Sequence, residues 1–494
     1  MMVIMSALML VMLLAALDQT IVSTALPRIA TELQGLNKLS WVATAYLLTS
    51  AITTPIYGKI SDLFGRKKIF LFAIAVFLAG SVLCGISQTM NELVLARALQ
   101  GVGAGGLMSL VLAIVGDIIP PRERGKYMGY FGAVFGVSSV AGPLLGGFLT
   151  DSLSWRWVFF VNIPLGVLAL FAVSTRLHLP VHKKQHKIDY LGATLLAGAS
   201  VCLLLATVWG GTSYPWGSTE IIGLVTSGIV LAALFVWCEK KASEPIIPLS
   251  LFKNDIFTVS VLLSLLAGIA MFASILYIPL YQQIVRGYSP TESGLLMIPL
   301  VAGLLGASII SGRLTSKLGR YKIFPIVGTL VLAFGLWLAS HVTLTTSEWT
   351  LGLWLFIIGA GIGSFMQIMT LAIQNSVDHK VLGTATSSAT FFRSLGSSFG
   401  GAIFGAVLTA RLSYHLLQGL PQGANLGNVS VASIQSGAGL QQLPPGVMNT
   451  VLEAFVRSFH DMFLLAVPIA LLAFVVALFL RETPLRSRLP VAEE

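Results

Sequence analysis

The chain has 494 residues, of which 55% are hydrophobic and only 10% charged, and its mean hydropathy is +0.87. Soluble domains carry about a quarter charged residues, so this composition excludes an ordinary soluble fold. The net charge of +10 would suit nucleic acid, but no nucleic-acid-binding motif is present and the basic residues lie between apolar runs. The three cysteines also lie within apolar runs, which gives no support for a disulfide framework.

Apolar runs long enough to cross a bilayer, about 20 residues each, recur from Met5 to Leu480. The first run contains Asp18 and lacks the basic start and cleavage site of a signal peptide, so we expect it to be a transmembrane helix. Residues 412–457 are rich in Gly, Gln, Asn, Ser and Pro, which predicts a long external loop. Fourteen spans are predicted, near 5–26, 41–60, 69–88, 93–115, 127–149, 157–176, 188–209, 220–238, 257–283, 293–312, 323–341, 350–373, 383–410 and 458–480.

The basic residues predict the orientation of these spans. If the N-terminus is cytoplasmic, 22 of the 30 Lys and Arg residues fall in cytoplasmic segments, 6 in external segments, and Arg97 and Arg393 within spans. Short cytoplasmic loops are enriched in Lys and Arg. We therefore expect a multi-pass protein of the cell membrane with both termini in the cytoplasm.

An internal repeat divides the chain. Residues 58–68 align without a gap with residues 312–322, and each segment follows the second helix of a block of six. The repeat predicts an N-terminal six-helix bundle over 1–176, two inserted helices and cytoplasmic loops over 177–256, and a C-terminal six-helix bundle over 257–494. Two six-helix repeats with the same orientation in the membrane are typical of a fold found in many secondary transporters.

Several motifs resemble those of that transporter fold, the major facilitator superfamily. Residues 58–68 resemble its signature loop, and residues 17–27, 95–103, 136–147 and 155–166 resemble motifs of its drug:proton antiporter branch with fourteen helices. The resemblance implies an all-α membrane protein that exports small, hydrophobic or cationic compounds in exchange for protons, a multidrug efflux function. It leaves open the export of an endogenous lipid, siderophore or peptide.

Asp18 is expected to be the only acidic residue deep within a span. A carboxylate in hydrocarbon costs several kcal/mol unless it is paired, solvated or protonated, and such residues usually have a function. Arg97 lies at a similar depth, about 10 to 14 Å from the outer face, so the two could pair. Asp18 could instead bond to hydroxyls such as Thr20, and Arg97 could extend to the surface. The resemblance implies a role for both residues in proton coupling.

Glycine patterns mark two further elements. Residues 101–106 fit the dinucleotide-binding pattern G-x-G-x-x-G, but they lie within an apolar helix, where small residues favour close helix packing. The fifth span adds a proline that can bend it. The resemblance implies an antiporter motif that seals the path against proton leak, with the residues Gly136, Gly142, Pro143, Gly146 and Gly147.

The loop after the second span carries charges that could be topology signals alone. The resemblance implies instead a cytoplasmic gate that holds one state of the transporter closed. Its residues would be Gly58, Asp62, Gly65, Arg66 and Asp117. Ser316 stands where the second repeat would need the matching acid, so one complete latch is expected.

Polar or aromatic residues inside apolar spans are candidates to line a substrate cavity: Tyr277, Gln282, Gln283 and Gln367. Arg393 lies near a midplane without an acidic neighbour in sequence, and it could bind an anionic group or anchor a backbone carbonyl. The second half has no deep acidic residue, which favours hydrophobic monocations, zwitterions or neutral compounds as substrates.

The loop over residues 176–187 combines three histidines with lysines. A metal site is one interpretation, but a cationic anchor on anionic lipid headgroups is favoured. No nucleophile motif, ligand cluster, soluble domain or nucleotide-binding P-loop is present, so we expect neither an enzyme nor a protein with a metal or cofactor. The expected partners are a small-molecule substrate, protons and membrane lipids, and the protein is predicted to be a monomer.

Overall fold

The computed structural model describes residues 2–35, 38–177, 188–211, 213–419 and 445–485, and in these ranges the chain is almost entirely helical. Two short 3-10 turns, Leu249–Lys253 and His379–Val381, join helices at one end of the molecule. The helices are α1 (Met2–Glu32), α2 (Leu39–Phe64), α3 (Arg66–Ile86), α4 (Met90–Ile118), α5 (Pro121–Ser152), α6 (Trp157–Phe160), α7 (Asn162–Arg176), α8 (Tyr190–Trp209), α9 (Thr219–Glu239), α10 (Asp255–Ile284), α11 (Pro290–Leu295), α12 (Ile298–Leu318), α13 (Ile323–Ser340), α14 (Glu348–Ser376), α15 (Leu382–Gly419) and α16 (Pro445–Leu478).

Thirteen spans in the described residues are long and apolar enough to cross a membrane, with α6 and α7 forming one span and α11 and α12 another. The prediction of an all-α membrane protein is confirmed. The helix α2, which contains the predicted span 41–60, has 26 residues but is not among the thirteen. Its hydroxyl residues bond to backbone carbonyls of α4, with Thr49 Oγ1 donating to Ala98 at 2.8 Å and Thr54 Oγ1 to Gly105 at 3.2 Å. A total of fourteen spans stays a prediction.

The predicted external loop over 412–457 is wrong at both ends, because α15 continues to Gly419 and α16 begins at Pro445. Residues 420–444 lie outside the described part of the chain, as do residues 178–187 with the predicted lipid-anchoring lysines and histidines. The extra turns form because apolar residues at helical spacing, such as Leu412, Leu416, Val451 and Phe455, are buried where α15 packs on α16.

The longer α16 also corrects the expectation that Asp18 is the only acidic residue deep within a span, because Asp461 falls in the middle of the apolar stretch Val447–Leu478. Asp461 lies within α16, where it accepts from His415 Nε2 at 2.9 Å and pairs with Arg411 at 3.5 Å. Its side chain is 26% exposed, whereas that of Asp18 is fully buried. The ion pair of Asp461 is therefore partly exposed to the surroundings. Among the ion-paired carboxylates of the described residues, Asp18 is the one with no exposed surface.

Helices α1 to α7 form one packed group and α10 to α16 form another. The most extensive contacts between these groups are those of α5 with α12 and of α2 with α15, and smaller contacts join α5 to α14 and α4 to α15. The helices α8 and α9 pack on each other, and α8 also contacts α2 and α15. At one end of the α5–α12 contact the backbones touch, since a Cβ added to Gly125 would lie 2.5 Å from the carbonyl oxygen of Gly312.

Candidate functional site

The carboxylate of Asp18 lies in the interior of α1 with no exposed surface, and Arg97 of α4 is only 2% exposed. Arg97 Nη1 donates to Asp18 Oδ2 at 2.7 Å. The remaining guanidinium contacts are also internal, with Nε donating to the carbonyl of Val42 at 3.2 Å and the ring of Tyr46 lying 4.1 Å from the guanidinium carbon. The structure therefore pairs Arg97 with Asp18 rather than directing it to the surface.

Two amide side chains complete the environment of the carboxylate. Gln100 Nε2 and Asn162 Nδ2 each donate to Asp18 Oδ1 at 2.8 Å. The same two nitrogens lie 3.0 and 2.9 Å from the hydroxyl of Ser81 on α3, which ties them together. Asp18 thus accepts three hydrogen bonds, two from amides and one from the guanidinium of Arg97, which is its charged partner.

Sequence reasoning did not single out Gln100, Asn162, Ser81 or Tyr46. The available signal was weak: Gln100 and Asn162 are amides within otherwise apolar runs, where they stand out less than a charge. These residues were therefore recognised only from their contacts.

A proton on Asp18 would turn one acceptor oxygen into a donor. Arg97 would then lose its ionic partner, and the connection between α1 and α4 would weaken.

The charged residues after α2 form a second buried cluster, at an end of the bundle that we call the latch end. Asp62 pairs with Arg66 Nη1 at 2.8 Å, and Arg66 Nε donates to Asp117 at the foot of α4. Asp62 also accepts from the backbone N–H of Gly383 at 3.0 Å and from the N–H and hydroxyl of Thr384 at 2.7 Å each. It therefore caps the first turn of α15, which belongs to the other group of helices.

The glycines of this cluster permit the close approach of α2 to α15. A side chain on Gly58 would collide with Ser387 of α15. Gly65 has a φ of +93°, a backbone conformation that L side chains rarely adopt, and it separates α2 from α3. His379, which was not singled out from the sequence, adds a second contact across the groups because its Nε2 lies 3.1 Å from Asp117 Oδ1. At the matching position of the second repeat, Ser316 accepts from the N–H of Lys126 at 3.2 Å.

The antiporter motif residues of α5 face different neighbours. Gly136 lies against Val301 and Leu305 of α12. Gly142 and Gly146 lie against Thr20 and Thr24 of α1, two and six residues after Asp18, whereas a Cβ on Gly147 would meet nothing within 4 Å. Pro143 lies inside the continuous helix α5. The motif therefore forms a contact between α5 and the helix that carries Asp18.

The candidate cavity residues are distributed over the three helices α10, α14 and α15. Tyr277 is buried and donates to the carbonyl of Gly401 at 2.7 Å, and Gln283 donates to Ser293 at 2.9 Å. Gln282 is fully buried and lines a cavity of about 10 Å³, which is large enough for about one water molecule. Gln367 lies on α14 and Arg393 on α15.

Residues 8–401 match the family described as the Major Facilitator Superfamily. The chain belongs to the major facilitator superfamily. It is similar to an MFS-type transporter of Mycobacterium tuberculosis (strain H37Rv), with 43% identity over 98% of this chain and 70% of the relative. It is also similar to Multidrug resistance protein 3 of Bacillus subtilis (strain 168), with 37% identity over 97% of this chain and 95% of the relative.

The fold of this superfamily member agrees with solved structures. A proton:xylose symporter of the superfamily, XylE, superimposes with a TM-score of 0.62 and covers 98% of this chain and 97% of its own length, at 16% sequence identity. At that identity the likeness concerns the fold alone. The chain is a multi-pass membrane protein of a family of transporters, so a small-molecule substrate is its expected cargo.

Proposed function

We propose that this protein exports small hydrophobic or cationic molecules from the cell in exchange for protons, by alternating access. Its similarity to Multidrug resistance protein 3 and to the multidrug transporter MdtP of Bacillus subtilis supports multidrug efflux. The single observation that carries proton coupling is Asp18, a fully buried carboxylate held by Arg97, Gln100 and Asn162.

The coupling step follows from this geometry. While Asp18 is ionised, Arg97 joins it and ties α4 to α1. When the site opens to the external side and Asp18 takes a proton, that tie weakens and the helices can rearrange. Opening to the cytoplasm then allows the proton to leave, and a cationic substrate can replace it as the partner of the carboxylate. The proton and the substrate thus compete for the same charge.

The latch at Asp62, Arg66 and Asp117 would alternate with this step. Its bonds join the two groups of helices and must break when the latch end opens. We place the latch end and both termini in the cytoplasm because the loops at that end carry most of the basic residues. An impermeant thiol reagent applied to intact cells should modify a cysteine at the exposed Trp349 and spare one at Lys240, and the reverse pattern would invert this topology.

The export function is tested by a panel of compounds in proteoliposomes with an imposed pH gradient. Active protein should accumulate several hydrophobic cations against their gradient, and an ionophore that collapses the pH difference should abolish the accumulation. Transport that persists unchanged without a proton gradient would contradict proton coupling.

A further inference from the structure

Arg393 of α15 has no partner in the part of the chain that the structure describes. It is the twelfth residue of α15 and is partly buried. Within the described residues it makes no hydrogen bond, ion pair or ring contact, in contrast to Arg97 and Arg66. A guanidinium in apolar surroundings is costly unless it is paired, so such residues usually face a cavity and a ligand.

The backbone-anchor interpretation of Arg393 does not fit these contacts. Arg124 illustrates an anchor in this protein, because its Nε donates to the carbonyl of Ile119 at 2.6 Å and its Nη2 to that of Gly116. In the part of the chain that the structure describes, Arg393 has no such carbonyl. The anionic-group interpretation is the one that remains.

Helix geometry places Gln367 of α14 at a height similar to that of Arg393. Gln374 Nε2 of α14 lies 3.2 Å from Thr386 Oγ1 of α15, which fixes the relative position of the two helices near the latch end. Gln367 is seven residues before Gln374, and Arg393 is seven residues after Thr386. Seven residues are about two turns, or roughly 10 Å, so each side chain returns to the same face of its helix at a similar height.

Gln367 is also incompletely bonded. It is only 7% exposed, and its buried Oε1 has no hydrogen-bond partner among the described residues. The sequence has no acidic residue from 349 to 377 or from 379 to 452, so α14 beyond its first residue and the whole of α15 supply no counter-ion to Arg393. The charge that balances Arg393 must therefore come from outside these two helices.

We propose that Arg393 and Gln367 form a binding subsite for a carboxylate group of the exported molecule. A guanidinium matches a carboxylate with two parallel hydrogen bonds, and the amide of Gln367 can donate to the same group. The inference rests on the proposed export function and narrows its substrates: zwitterions, with a carboxylate at this subsite and a cationic group directed toward Asp18, are preferred over simple cations.

Rhodamine B and its ethyl ester make a matched pair of probes, because the first is a zwitterion with a free carboxylate and the second is a cation. Binding is measured by fluorescence titration of purified protein in detergent, without a proton gradient. The parent should bind rhodamine B about tenfold or more tighter than the ester. Arg393→Gln should remove this preference, with the affinity for the ester changed less than about threefold.

Three further variants make the result specific. Arg393→Lys keeps a charge without the planar fork and should retain part of the preference, and Gln367→Leu should weaken binding of rhodamine B alone by a smaller factor. Arg313→Gln, which changes an exposed arginine of α12, is the matched control and should behave like the parent. A single elution peak for each variant confirms folding.

The outcomes separate this inference from the export function. Equal affinities of the parent for both probes, no binding of rhodamine B by the parent, or equal losses for both probes in Arg393→Gln would each overturn the subsite. Proton-driven export of the ester by every variant would leave the export function intact. If the parent binds rhodamine B more tightly than the ester but exports neither probe in a proton gradient, the subsite stands and the export function is refuted.

Discussion

Gly125→Ala tests whether the contact between α5 and α12 holds the latch end closed. The added Cβ would lie 2.5 Å from the carbonyl oxygen of Gly312, whereas ordinary contact begins at 3.4 Å. The helices must therefore separate by about 1 Å at this level or strain elsewhere, and overpacking of this kind costs about 1–3 kcal/mol. That energy changes the ratio of closed to open latch ends by roughly 5- to 150-fold.

The opening can be measured as a distance. Spin labels at Arg122 and Lys317, both exposed beside this contact, report the separation of α5 and α12 by pulsed electron resonance. Gly125→Ala should increase the population of long distances. Gly147→Ala is the matched control on the same helix, because its Cβ meets nothing within 4 Å. Distances in Gly125→Ala that equal those of the parent would refute the reasoning.

Three further substitutions test the latch, the motif and the carboxylate site. Asp62→Asn removes the charge that caps α15 and breaks the buried ion pair with Arg66, which costs about 3–5 kcal/mol. The spin labels at Arg122 and Lys317 should therefore report an open latch end, and parental distances would contradict this. Pro143→Ala should keep the fold but make proteoliposomes leak protons, and full proton retention with parental efflux would remove the sealing role. Asn162→Ala deletes a hydrogen bond to Asp18, and a hydrogen bond to a charged group is worth about 1.5–3 kcal/mol. Gradient-driven export should therefore fall about tenfold or more, and export at the parental rate would show that Asn162 has no role in coupling.

Charges within apolar runs made part of the site predictable. Asp18 and Arg97 stood out because each is expensive in hydrocarbon, and the structure places them 2.7 Å apart. Gln100 and Asn162 were missed because an amide in a span is less costly than a charge and one sequence gives no signal of its partner. Their importance is visible only when α3, α4 and α7 bring them to one carboxylate.

The location of polar residues within the fold was harder to predict. Gln282 and Gln367 look equivalent in sequence, yet the first lines a small cavity near the end of α10 and the second is buried within α14. Polarity within a span does not give the height of a side chain or the face it occupies. For the same reason the loop predicted over 412–457 was too long. Its polar residues outnumber the apolar residues at helical spacing, such as Leu412, Leu416 and Val451, which are buried in the structure.

Substrate-induced proton release is the most direct measurement of the central claim, that Asp18 carries the exchanged proton. Purified protein in weakly buffered detergent is mixed with a compound that the parent exports, and the pH change is followed with an indicator dye. The parent should release protons when the compound binds, and Asp18→Asn should release none although it still elutes as a folded protein. Parental proton release by Asp18→Asn, together with gradient-driven accumulation of the compound, would contradict the account.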